Sequence, residues 1–206
     1  MRTPVRRSKK IGLTQGGRVR DGQAEEKQSR GRQRDDIWDR LSERPQDGEI
    51  VFITENPSRD YYHPCGEEDI RRVLAHLPRK HWRHLRAVVF RRSTAHDRNR
   101  GVEARRRYLC VILYPFPVTN ELDWGAKPPP MSIRSHYAPW CDRWEVREGR
   151  HVQIWTPEEV RRYFRYHLFL HEMGHLNQPA FHSLTRREDF AEDYALTWAR
   201  KLGQLR

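Results

Sequence analysis

Residues 167–176 read HLFLHEMGHL, with His171 and His175 four apart and Glu172 directly after the first. On an α-helix, residues four apart lie one turn above each other on the same face. Both imidazoles can therefore reach one metal ion from a backbone too rigid to let them drift. Glu172 is rotated about 100° from His171, so it flanks such an ion, where it can accept a proton from a metal-held water as general base. Two imidazoles and a carboxylate favour Zn²⁺, which lowers the pKa of a bound water to about 7. The implied chemistry is hydrolysis of a peptide bond, with a protein or peptide as substrate. The bland reading makes the same pair two core histidines satisfied by backbone or carboxylate groups.

The surroundings favour the metal. Leu168, Phe169, Leu170, Met173, Gly174 and Leu176 are all uncharged, in a chain that is 33% charged. A helix written this way is buried, and buried histidines need partners. The preceding TPEEV is a strong helix start. Thr156 caps, Pro157 takes the first position and Glu159 completes a capping box, so the helix should run from Pro157 to about His175 or Leu176. A last helix should start near Arg186 and reach about Leu202, with an apolar face of Ala191, Tyr194, Ala195, Trp198 and Leu202. Its carboxylates are Glu188, Asp189, Glu192 and Asp193. Glu188 and Glu192 share a face, so one can ligate while the other, or Asp193, orients a ligand histidine. The alternative for these acids is ordinary favourable charge at a helix N-terminus.

HEMGH followed by EDFAEDYA resembles the gluzincin branch of zincin-like metallopeptidases. More narrowly, it is similar to the ImmA/IrrE-type peptidases, in which E-x-x-A-x-x-[FY]-A follows H-E-x-x-H. The likeness covers about residues 160–200. It implies His171, His175 and Glu188 as zinc ligands, Glu172 as the base and Glu192 or Asp193 behind the ligands. It also implies an edge strand above the active-site helix that pairs with the substrate backbone. Three features depart from the pattern. Only twelve residues separate His175 from Glu188, Glu192 stands where these peptidases tend to carry asparagine, and no helix-turn-helix pattern is visible. His182 is the rival third ligand, since metzincins and the SprT-like and WLM DNA-repair proteases use a third histidine. Metzincin spacing would put it at position 181, which is Phe. His182, Tyr163, Tyr166 and Tyr194 are candidate oxyanion donors.

The elements that must position these residues read as an α+β domain over 35–206, a compact zincin-like arrangement with a small mixed or antiparallel sheet packed on helices. DDIWDRLSER suits a short amphipathic helix and GEIVFIT a strand. GEEDIRRVLAHLP is a helix with Ile70, Val73, Leu74 and Leu77 on one face. LRAVVFRR and RRYLCVILYPFP are β-rich runs joined by a polar loop, STAHDRNRGVEA, and RWEVREGRHVQIW reads as a β-hairpin turning at Glu148–Gly149. The proline-rich stretch between them holds Trp124, Tyr137, Trp140 and Trp144. It reads either as a cover burying tryptophans over the sheet or as a cleft lining that stacks on bases, with Arg134 and Arg143 nearby. His63, His76, His81, His84, His96, His136 and His151 show no metal-ligand spacing.

Composition bounds the rest. Of the net charge of +12, residues 1–34 contribute +8, from eleven Lys/Arg and three Asp/Glu. This segment has no aromatic residue and reads as a disordered basic tail. It is suited to nonspecific, salt-sensitive nucleic-acid contact, or simply to solubility. Two further functions follow from it: a protease held on DNA by its tail, or a non-catalytic nucleic-acid-binding protein whose H-E-x-x-H helix is structural. No apolar run is long enough for a membrane span or a signal peptide, so a cytoplasmic protein without membrane contact is expected. Cys65, Cys110 and Cys141 are too few and too scattered for a disulfide framework or a thiolate zinc site. Cys110 reads as a small buried hydrophobe, and Cys65 is the more polar in context.

Overall fold

A computed structural model describes residues 49–180 and 182–205. The basic tail 1–34 and the helix expected around residues 37–41 lie outside the described residues. The elements in chain order are β1 (Val51–Thr54), β2 (Tyr61–Tyr62), α1 (Glu67–His76), α2 (Arg79–Trp82), β3 (Ala87–Phe90) and α3 (Ala95–Arg100). There follow β4 (Ala104–Arg107), β5 (Cys110–Leu113), β6 (Phe116–Pro117), β7 (Glu121–Gly125), α4 (Met131–Tyr137), β8 (Trp144–Arg147) and β9 (Arg150–Ile154). The chain closes with α5 (Pro157–Tyr163), a π-helical turn (Phe164–Leu168), α6 (Phe169–Asn177) and α7 (Leu184–Lys201). This is a mixed α+β architecture, as the order of apolar runs implies. No described helix is long and apolar enough to cross a membrane.

The main sheet has the order β1-β3-β5-β4. β1, β3 and β5 run parallel, and β4 joins β5 antiparallel. Parallel strands are usually covered on both faces, and here β3 and β5 are buried at every position. Alternate side chains serve two cores. Val88, Phe90, Val111 and Leu113 face the helices in the main core, while Ala87, Val89, Cys110 and Ile112 form a smaller cluster with Tyr114. A second, antiparallel sheet has the order β7-β9-β8. Its β8–β9 hairpin turns at Glu148 and Gly149, both with positive φ, 50° and 72°. That is the backbone a two-residue hairpin loop with the right twist demands, and glycine takes it without strain.

Two expectations need correction. The polar segment 93–104 is not all loop, because it contains α3. Thr94 caps that helix through Asp97, and Gly101 ends it in the left-handed conformation at φ 60°. Local capping chemistry makes a helix there without an apolar stripe. The proline-rich stretch is not irregular either: it holds β7 and α4, the latter following Pro130 directly. Its aromatic residues belong to the core, with Trp124 and Trp140 each 1% exposed and Tyr137 3%. The cover reading therefore describes this region, and Arg134 rests over the Trp144 ring at 5.3 Å.

Candidate metal centre

One helical rod carries the H-E-x-x-H segment. Thr156 Oγ accepts from the Glu159 N–H, and the Glu159 carboxylate accepts from the Thr156 N–H at 2.8 Å. With Pro157 at the first position, the chain then stays helical to Asn177. Midway it opens into the single π turn, where the Phe169 N–H donates to the Phe164 carbonyl. Such turns insert one residue into the helix and concentrate at functional sites. At the far end Asn177 donates to the carbonyls of Met173 and His81, each at 2.8 Å, pinning the C-terminus of α6 to α2.

α7 lies against α6 at close range, presenting Ala191, Ala195 and Ala199, all fully buried. A Cβ on Gly174 would stand 2.7 Å from the Ala191 Cα and 3.1 Å from its carbonyl oxygen. Real side chains do not tolerate that separation, so the glycine inside HEMGH permits the approach of the two backbones. This approach delivers the α7 carboxylates. Glu188 Oε2 is 3.4 Å from His171 Nε2, and Glu188 Oε1 is 3.6 Å from His175 Nε2. One donor atom from each of the three residues lies within 4.8 Å of the others.

The electrostatics follow from burial and proximity. His171 is 1% exposed, and burial alone disfavours its charge. The carboxylates of Glu188 and Glu192 outweigh this and carry its pKa up to about 10. Burial pushes the Glu188 carboxyl up, but His171 and His175 more than compensate and hold it at about 2. Glu172 is 3% exposed, and burial raises its pKa above the usual carboxylate value against the pull of His175 and His171. The raised pKa makes the Glu172 carboxylate a stronger base than an ordinary glutamate.

The fit of a metal can be judged from the donors themselves. A tetrahedral zinc with bonds of about 2.0–2.1 Å holds its ligand atoms roughly 3.3 Å apart; here the two histidines each approach a different Glu188 oxygen, at 3.4 and 3.6 Å. His171 Nε2 and Glu188 Oε2 are buried without any hydrogen bond. The His175 tautomer is set from behind. His175 Nδ1 lies 3.1 Å from Gln178 Oε1 and can donate to it, which leaves Nε2 as the ligand atom. His171 Nδ1 faces Glu192 Oε2 at 3.4 Å. The structure thus brings together His171, His175 and Glu188, with Glu172 beside them and Glu192 behind. His182 is exposed between α6 and α7 and is in neither of the His/Glu groups that the described residues form.

Other expected roles fall away or move. Tyr163 OH donates to Glu103 Oε2 at 3.1 Å in the core, and Tyr194 OH pairs with His81 Nδ1 at 2.8 Å. All three cysteines are free and buried, and burial pushes the Cys65 thiol up to about 12, which removes it as a nucleophile. Three participants were not anticipated: Gln178, His136 and His167. His167 is fully buried, and its Nε2 contacts both Glu192 oxygens at 3.1 and 3.2 Å. A signal for it was present, since His167, His171 and His175 are spaced by four along one helix. No family model, curated protein or solved structure matches the chain.

Proposed function

We propose that the chain is a zinc-dependent metallopeptidase of zincin-like design, with His171, His175 and Glu188 as metal ligands. The observation that carries this is the pair of orphaned buried donors, His171 Nε2 and Glu188 Oε2, held at metal-ligand spacing with no hydrogen bond of their own. Without an ion the two atoms are held only as an ion pair at 3.4 Å, and a shared cation would give each of them a bond. Zinc bound there supplies Lewis acidity to a water and positive charge against a developing oxyanion.

The chain's own residues do the remainder. Glu172 takes the proton of the attacking water and returns it to the leaving amine. Its raised pKa suits both directions of transfer. Gln178 fixes the His175 ring, and Glu192 stands behind the His171 ring as an ion-pair partner. β4 is the edge of the main sheet and packs against α6, and among the described residues no strand pairs with its outer side. A peptide in extended form can add to that edge by main-chain hydrogen bonds. Arg106 on β4 is exposed and donates to the His175 carbonyl at 3.3 Å, which sets a positive charge at the rim of the centre.

The test is Glu172→Gln. It should retain stoichiometric zinc and lose hydrolysis of an unfolded protein such as casein. Retained hydrolysis with retained zinc would sink the mechanism, and a wild-type chain that takes up no zinc on reconstitution would sink the centre.

A further inference from the structure

We infer that His136, His167 and Glu192 form a second divalent-metal site, one helical turn from the first and made of the same donors. His167 precedes His171 by four residues and Glu192 follows Glu188 by four. The ladder between α6 and α7 therefore repeats, and α4 adds His136 to complete the upper rung. One donor atom from each of the three lies within 4.8 Å of the others.

The geometry favours an ion over a hydrogen-bonded cluster. Glu192 is 3.1 and 3.2 Å from His167 Nε2, but Glu192 Oε1 is 3.9 Å from His136 Nδ1, beyond hydrogen-bond length. The opposite ring nitrogens, His136 Nε2 and His167 Nδ1, are buried and make no hydrogen bond, so no partner on the far side sets either ring. The two rings pack at 4.9 Å against one carboxylate, with no second acceptor for either. His167 Nε2 and Glu192 pair with each other, His136 Nδ1 stands outside that pair at 3.9 Å, and a cation between the three would engage all of them. His167 is held in place by stacking on Tyr163 at 5.1 Å and by Trp140 at 5.2 Å. The Glu192 side chain is 31% exposed, which provides an entry path.

This second ion is structural. Its neighbours are the aromatic rings of Tyr137, Tyr163 and Trp140, and the carboxylate beyond them, Glu103, is engaged by the hydroxyls of both tyrosines. Its consequence for the first site runs through Glu192, whose Oε2 also faces His171 Nδ1. Only that consequence rests on the zinc-peptidase reading, since the donor set stands without it.

The experiment titrates metal-free full-length chain with Co²⁺ and then Zn²⁺. Bound metal is read by mass spectrometry after desalting, and the ligand field from the cobalt d–d bands. Two equivalents are expected for the wild type, one for His136→Ala and one for His175→Ala, with different cobalt spectra in the two variants. A wild type that saturates at one equivalent, or a folded His136→Ala that still holds two, overturns the inference. Circular dichroism checks the fold, and His136→Gln replaces the alanine variant if that one does not fold. Two equivalents retained by His175→Ala would instead count against the catalytic centre and leave the second site standing.

Discussion

Two His–His–Glu groups stand a helical turn apart along α7, one completed by α6 and the other by the π turn and α4, and they differ in what surrounds them. Around His171, His175 and Glu188 there is a fourth group that is not a ligand, the buried carboxylate of Glu172, and an arginine on a sheet edge. Around His136, His167 and Glu192 there are aromatic rings. The ligand chemistry is alike. On the proposed reading, what would separate a centre that turns over substrate from one that only holds an ion is the unused base and the adjacent open edge. A donor set alone therefore does not define an active site.

The largest effect expected from this contrast is catalytic. Glu172→Gln should lower proteolysis by roughly 10²–10⁴-fold, while metal content stays at the wild-type level. His136→Ala should lower it by no more than about 10–100-fold, the usual cost of losing support behind a ligand. Equal losses in the two variants, measured as kcat/KM on one peptide, would erase the distinction.

The next effect acts on both groups together. Gly174→Ala must open the contact with Ala191, at a cost of about 1–3 kcal/mol of stability for overpacking. Since α7 carries both Glu188 and Glu192, metal affinity should fall at both groups. Thermal unfolding and metal titration check this, and a variant as stable as wild type would mean that α7 sits further from α6 than the 2.7 Å approach states.

These features were unequally legible in the sequence, for physical reasons. The capped start at Thr156, the hairpin at Glu148–Gly149 and the helical stretch of apolar residues in 168–176 are local signals, and each element formed where its signal stood. The grouping of His171 with His175 was legible because helical spacing fixes it, whereas spacing admitted Glu188 or Glu192 beside them and only the likeness to the gluzincins singled out Glu188. His136 was not legible, since its position on α4 opposite His167 is set by tertiary packing across thirty residues of intervening sequence that include the β8–β9 hairpin. The π turn at Phe164–Leu168 was also hidden, because the apolar residues in it suit an α-helix equally well. α3 was missed for the opposite reason: caps build it, with Asp97 its sole buried residue.

A smaller effect concerns protons. In the metal-free chain His171 holds its proton up to about pH 10. A cation can bind only by displacing it, so metal uptake below that pH should release a proton, and affinity should rise by up to about tenfold per pH unit. The sign for stability is the converse. The raised pKa means that this charge stabilises the metal-free fold fully below the ordinary value of 6.5 and stops doing so as pH rises through about 10. Titration calorimetry in buffers of different ionisation enthalpy reads the release directly. An enthalpy independent of buffer would contradict it.

The smallest effect should not separate the two groups at all. Thr156→Ala removes the cap of the rod that carries both, at about 1 kcal/mol. The first turn keeps Pro157, and Glu159 keeps its ion pair with Arg143, so the loss should fray the start of α5 without reaching the π turn. Metal stoichiometry and the cobalt spectra should then match the wild type while the melting temperature falls by a few degrees. If the cap variant instead loses metal at the His136 group alone, the π turn transmits strain from α5 and the two groups are not equally anchored. If both sites persist, their placement is set by the α6–α7 contact at Gly174, not by where the helix begins.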